Sequence, residues 1–237
     1  MDKFYNIIKD NYEKLISKDI KIKSHVEKNS VEIINNDTDK CNKTTRVCID
    51  KGQFLSIDSI EGINEEWKDV ITYSFDTNQQ LNKIYLLSND TKSFLNEGQI
   101  ILIIKIINIT LNSIEKMFGD SSKNRFDLFL LGSETKKLFP CKTHEITSNN
   151  VNSADTTFFG DGEIVIRIHR KEELTKVLIH EVLHVTKVEN RLNEMFKNVF
   201  NVSVDLLPSE AIVETLATFI NCVLCSFINK PEKSVKE

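Results

Sequence analysis

Three polar side chains interrupt a segment that is otherwise apolar. His180, Glu181 and His184 stand among Val177, Leu178, Ile179, Val182, Leu183 and Val185. A helix that is apolar nearly all round is buried, and the spacing predicts one helix over residues 172–188. Buried imidazoles and carboxylates rarely sit without partners. On a helix, positions i and i+4 share a face. His180 and His184 can therefore bind one metal ion from the same side, and that ion satisfies both rings. Glu181 projects toward the open side of the ion, where it can take a proton from a bound water. This H-E-x-x-H pattern carries the chemistry of a zinc hydrolase.

A catalytic zinc has three protein ligands and a water, so one ligand lies elsewhere. No histidine follows His184. A metzincin pattern would require Gly at position 187 and His at position 190, and the chain has Lys187 and Asn190. A carboxylate is left. The strongest candidates lie in Pro208-Ser209-Glu210-Ala211-Ile212-Val213-Glu214. Pro208 suits the first turn of a helix, and the run to about Phe227 is apolar. Glu210 and Glu214 are four apart, on one face of a helix expected to be buried. Two carboxylates there resist ionising unless something positive lies against them. Glu189, Glu194 and Asp205 are the next candidates for the ligand.

An H-E-x-x-H helix followed by an acidic helix resembles the gluzincin metallopeptidases, the thermolysin-like branch of the zincins. Their second motif reads N-E-x-x-x-D, and Ser209-Glu210-Ala211-Ile212-Val213-Glu214 is similar to it, with Ser for Asn and Glu for Asp. The resemblance implies that Glu210 is the third zinc ligand. It implies that Glu214 accepts the free ring N–H of a ligand histidine, a partner that such histidines usually have. It covers two short motifs and their order. The chain departs from the family in those two substitutions, in a longer gap from His184 to Glu210, and in having no His or Tyr after Glu214. A donor for the oxyanion must then come from upstream, with Tyr85, His144, His169 and Arg170 as candidates.

The rest of the chain reads as mixed α and β. Residues 1–19 have the spacing of an amphipathic helix. Residues 20–80 are polar, with short strands expected at Val31–Ile34 and Arg46–Ile49. Lys83–Ser88 and Arg125–Leu131 read as strands, and 99–118 as a long helix. Ala154–Phe159 and Glu163–His169 flank Gly160-Asp161-Gly162, a hairpin signal. Glu163–His169 alternates less than a half-exposed strand would and reads as sandwiched; it is also taken as the edge strand beside the metal helix, with His169 partly exposed at its end. An irregular stretch then leads to the Glu210 helix. Periodicity gives α+β. The resemblance implies a zincin-like mixed sheet packed on helices, with a C-terminal helical part that carries the third ligand. A catalytic domain is expected over 81–237, and a docking or regulatory region over 1–80.

Composition narrows the partners. The net charge of −4 leaves no nucleic-acid footprint. The start, Met1-Asp2-Lys3-Phe4-Tyr5-Asn6, lacks the apolar core of a signal peptide. The apolar run Ile100–Leu111 is too short to span a bilayer. A cytoplasmic protein with no membrane partner is expected, and its five cysteines are read as reduced thiols. Cys222 and Cys225 are expected to pack in the core, and Cys41 and Cys48 bracket a polar loop. The expected function is a zinc metallopeptidase acting on a peptide or protein, with His180, His184 and Glu210 on Zn²⁺ and Glu181 as base. The alternatives are a zinc-binding protein without turnover and a metal-free interaction protein.

Overall fold

The computed structural model describes residues 1–27, 31–34, 47–50, 70–75, 81–87, 95–119, 124–131, 153–159, 162–171, 173–200 and 209–228. Among them are five helices: α1 (Asp2–Ile16), α2 (Glu97–Phe118), α3 (Leu174–Thr186), α4 (Val188–Phe200) and α5 (Ser209–Ile228). The strands are β1 (Ile22–Glu27), β2 (Val31–Ile34), β3 (Val47–Asp50), β4 (Val70–Phe75), β5 (Leu81–Leu87), β6 (Phe126–Leu131), β7 (Ala154–Phe158) and β8 (Ile164–Ile168). The fold is α+β. Six strands form one mixed sheet in the order β1-β4-β5-β6-β8-β7, and β2 and β3 form a separate parallel pair.

The buried strands explain the mixed pairing. β6 and β8 are short runs of Leu, Ile, Val and Phe, each with one charged residue (Asp127, Arg167), that pair in parallel, as β5 and β6 do. Such nearly continuous apolar strands suit the middle of a sheet covered on both faces. β7 closes one side as an antiparallel hairpin with β8. Near its turn, the Phe159 N–H donates to the Glu163 carbonyl, and Gly162 has φ +86°. Glycine reaches that conformation without steric cost. The expectation that Glu163–His169 forms the edge is corrected here. β8 lies between β6 and β7, and β7 is the edge among the described residues. The physical reason is the side chains: β8 is Ile-Val-Ile-Arg-Ile, whereas β7 is Ala-Asp-Thr-Thr-Phe and tolerates water.

α2 is the spine of the core. Asn96 and Gln99 close a reciprocal cap at its start, each side chain accepting the other's backbone N–H at 2.9 Å. Ile100, Ile104 and Ile107 are fully buried in one cluster with Leu128 and Ile166 of the sheet and Leu178, Val182 and Leu183 of α3. α1 packs on α2 and α5. Phe4 stacks on Phe219 at 5.6 Å, and Asn11 donates to Ser113 at 3.0 Å. Sequence reading placed a boundary at residue 80, but β4 pairs with β5 across that point, and β1 pairs with β4. The strands on either side of it therefore share one sheet. α4 fills part of the stretch expected to be irregular.

α5 is long and apolar enough, by length and composition, to cross a membrane. Here Val213, Ala217, Ile220 and Leu224 join the core beside α3. Cys222 and Cys225, expected in that core, face outward as free thiols. Burial of Val223 and Leu224 turns the flanking positions toward solvent.

Ile104→Ala should cost about 2–5 kcal/mol of stability, as a fully buried large-to-small change. Guanidinium unfolding checks it through the midpoint. A cost within about 0.5 kcal/mol, the range of an ordinary surface change, would contradict a core built on α2.

Candidate metal centre

α3 is clamped on its apolar sides, and its remaining face carries the site. Leu178, Ile179, Val182, Leu183 and Val185 are all fully buried. That phase turns His180 and His184 to the side where α5 begins. The two Nε2 atoms lie 3.2 Å apart. Glu210, in the first turn of α5, meets both: its Oε2 is 3.3 Å from His180 Nε2, and its Oε1 is 3.5 Å from His184 Nε2. Among the described residues, His180, His184 and Glu210 are a group able to hold a metal ion.

Carboxylates at the opposite ring nitrogens set the tautomers. His180 Nδ1 lies 3.1 Å from Glu214 Oε2, and His184 Nδ1 lies 3.5 Å from Glu189 Oε1. A carboxylate accepts, so each Nδ1 carries the proton. Both Nε2 lone pairs then point at one place, against a third acceptor. Such an arrangement calls for a cation. Tetrahedral coordination with bonds of about 2.0–2.1 Å separates its ligand atoms by about 3.3 Å; the two Nε2 atoms here are 3.2 Å apart, and the Glu210 carboxylate approaches them through different oxygens, Oε2 at 3.3 Å and Oε1 at 3.5 Å.

The charges around the site oppose one another. Burial and the neighbouring His184 lower the pKa of His180, against the pull of Glu210 and Glu214. Burial also pulls His184 down, but the hydrogen bond with Glu189 and the charges of Glu181, Glu210 and Glu189 outweigh it, and its pKa is raised. Lys176, one turn before His180, pairs with Glu214 Oε1. Burial raises the Glu214 pKa, but this ion pair and His180 hold it below the usual carboxylate value. The positive charge that two carboxylates on one helix face require is thus Lys176 for Glu214. The expectation that both lie in a buried helix is corrected. The first turn of α5 is open to solvent, with the Glu210 side chain 75% exposed.

Glu181, the residue after His180, is buried. Burial pushes its pKa up to about 7, opposed chiefly by a hydrogen bond from Thr156. The Thr156 hydroxyl, from β7, donates to Glu181 Oε2 at 2.7 Å and lies 3.2 Å from the Glu181 backbone carbonyl. The base candidate is thus held against the edge strand.

The other candidates fall elsewhere. Tyr85 stacks on Phe129 at 4.5 Å and lies in the cross-strand row Tyr85–Phe129–Arg167–Asp155. That row is on the sheet face opposite Thr156, since neighbouring residues on a strand point to opposite faces. His169, expected to be partly exposed, is fully buried, and burial lowers its pKa to about 4. Arg170 is also buried. Glu194 is exposed on α4, and His144, Asp205, Pro208 and Cys41 lie outside the described residues.

Sequence reading did not find three supporting residues. Thr156 carried no signal, because its role depends on how the hairpin meets α3. Lys176 lies one turn from His180, and helical spacing alone would have found it. Glu189 was weighed only as a metal ligand. Its place beside His184 Nδ1 requires the chain to reverse at Lys187, which sits at φ +53° and ends α3 with its N–H on the His184 carbonyl. Compared with protein-family models, with curated proteins and with solved structures, the chain matches none of them.

Glu210→Ala should remove most of the affinity for a divalent metal. Glu214→Ala and Glu189→Ala should each cost about 10–100-fold, as the loss of a histidine's hydrogen-bonded partner does. Zinc titrations of the three variants test the assignment. Retention of tight binding by Glu210→Ala, with its loss in Glu214→Ala, would exchange the two roles.

Proposed function

We propose that this protein is a zinc-dependent metallopeptidase with a zincin-like catalytic fold. The observation that carries the reading is the convergence of both histidine Nε2 atoms and the Glu210 carboxylate, with Glu181 one residue from the first ligand. His180, His184 and Glu210 would hold the ion. Zinc, when bound there, polarises a substrate carbonyl and lowers the pKa of water toward neutrality. A clamp used only for structure has no need of a carboxylic acid beside it. The presence of Glu181 therefore favours an enzyme over a metal-binding protein without turnover.

The chain's own residues divide the work. Glu181 accepts the proton of the attacking water and gives it to the departing amine nitrogen. The carbonyl carbon gains an oxygen, the C–N bond breaks, and a carboxylic acid and an amine result. Burial suits Glu181 to this exchange, because a base with pKa near the working pH can both take and return a proton. Glu214 and Glu189 hold the rings at Nδ1 and leave Nε2 of each turned to the place where the metal would bind. Lys176 keeps Glu214 ionised for that task. β7 offers an unpaired edge, among the described residues, beside Glu181. An extended peptide can add to such an edge through its main chain, and so align its carbonyl.

Glu181→Gln should bind zinc as wild type does and lose hydrolysis, because the amide keeps the shape and cannot accept the proton. Cleavage of a peptide library by the zinc-loaded protein, read by mass spectrometry, is the measurement. Equal turnover by Glu181→Gln and wild type would overturn the mechanism. Tight zinc binding with no cleavage by wild type would favour the zinc-binding protein without turnover.

A further inference from the structure

We propose that Thr156 is a positioning residue through which the edge strand sets the carboxylate of Glu181. The kinetic part of this inference rests on the hydrolase reading above; the geometric part does not. β7 has β8 on one side, paired Thr156↔Ile166, and no strand on the other among the described residues. The Thr156 side chain leaves the strand on the α3 face and reaches Glu181 Oε2 at 2.7 Å. The distance is that of a well-formed O–H···O bond. The other oxygen, Oε1, makes no hydrogen bond among the described residues.

The division between the two oxygens has a chemical consequence. A carboxylate in a buried site is free to rotate about its last torsion, which is broad and roughly two-fold. A donor on Oε2 fixes that torsion and leaves Oε1 as the oxygen able to take a proton from a water. The same hydroxyl also lies against the Glu181 backbone carbonyl, so strand, helix backbone and carboxylate are held at one point. A peptide that paired along β7 would restrain the strand bearing Thr156, and through it the base. A tether of strand to helix alone would need the contact to the carbonyl but not the contact to Oε2.

Thr156→Val and Thr156→Ser separate these roles. Valine keeps the β-branched shape that suits a strand and removes the donor. Serine keeps the donor and removes the methyl group. In metal-free protein carrying ¹³C-labelled glutamate carboxyls, the Glu181 resonance is identified by its loss in Glu181→Gln. It should move in Thr156→Val and return toward the wild-type position in Thr156→Ser. In zinc-loaded protein, kcat for a peptide found by library cleavage should fall about 10–100-fold in Thr156→Val, with KM nearly unchanged and zinc content intact. Thr156→Ser should restore most of it. A Glu181 resonance that ignores the valine change, or a loss of kcat that serine does not rescue, would overturn the proposal. If wild type cleaves no peptide while the resonance responds as described, the peptidase reading falls and the positioning role stands.

Discussion

Two imidazole nitrogens 3.2 Å apart, each with its ring proton committed to the far side, present lone pairs to the same point. Glu210 adds a carboxylate to that point. A single proton can bridge one pair of these acceptors and leaves the third uncompensated. A divalent ion satisfies all three at once. Unlike charges within a few ångströms favour ionisation, and like charges oppose it. The placement of Glu214, Glu189 and Lys176 follows from the same constraint. Each adjusts the charge or orientation of a group that would face such an ion.

The fold supplies the rigidity that this constraint demands. Interhelical placement must hold to a few tenths of an ångström, because metal–ligand bonds tolerate little more. α3 is locked by five fully buried aliphatic side chains. α5 is locked to it by Val213, Ala217, Ile220 and Leu224, all in the same core. Two of the three donors come from one turn of α3, and their spacing is a property of the helix. The third comes from α5, and its position depends on packing between the two helices. The core beneath the site is therefore part of the site. Function and stability meet again at Glu181, whose burial costs free energy and raises its pKa toward the range useful for proton transfer.

Much of this was legible in the sequence because the signals were local. The histidine pair, the intervening glutamate and the acidic turn near Ser209 are fixed by helical spacing, and α2 announces itself through its isoleucines, though its Asn96/Gln99 cap places its start before residue 99. β5, β6 and the β7–β8 hairpin were legible from apolar runs and glycine. Strand order was not: nothing in the sequence of β8 tells which neighbours it will find. β1 and β4 were hidden in a polar region, since they pair with each other across a long stretch of chain and only β4 reaches a strand outside it. Glu189 and Thr156 were hidden for a related reason. One depends on a left-handed turn at a lysine, where glycine is the usual signal. The other depends on a contact between a strand and a helix 25 residues apart.

Anomalous diffraction at the zinc edge, on crystals of the protein purified without chelator and supplied with zinc, tests the central claim most directly. The account predicts one ion, bound by Nε2 of His180, Nε2 of His184 and a carboxylate oxygen of Glu210, at distances of about 2.0–2.2 Å. Nδ1 of the two rings should remain on Glu214 and Glu189. An anomalous peak held by other residues, or no peak between α3 and the first turn of α5, would contradict it.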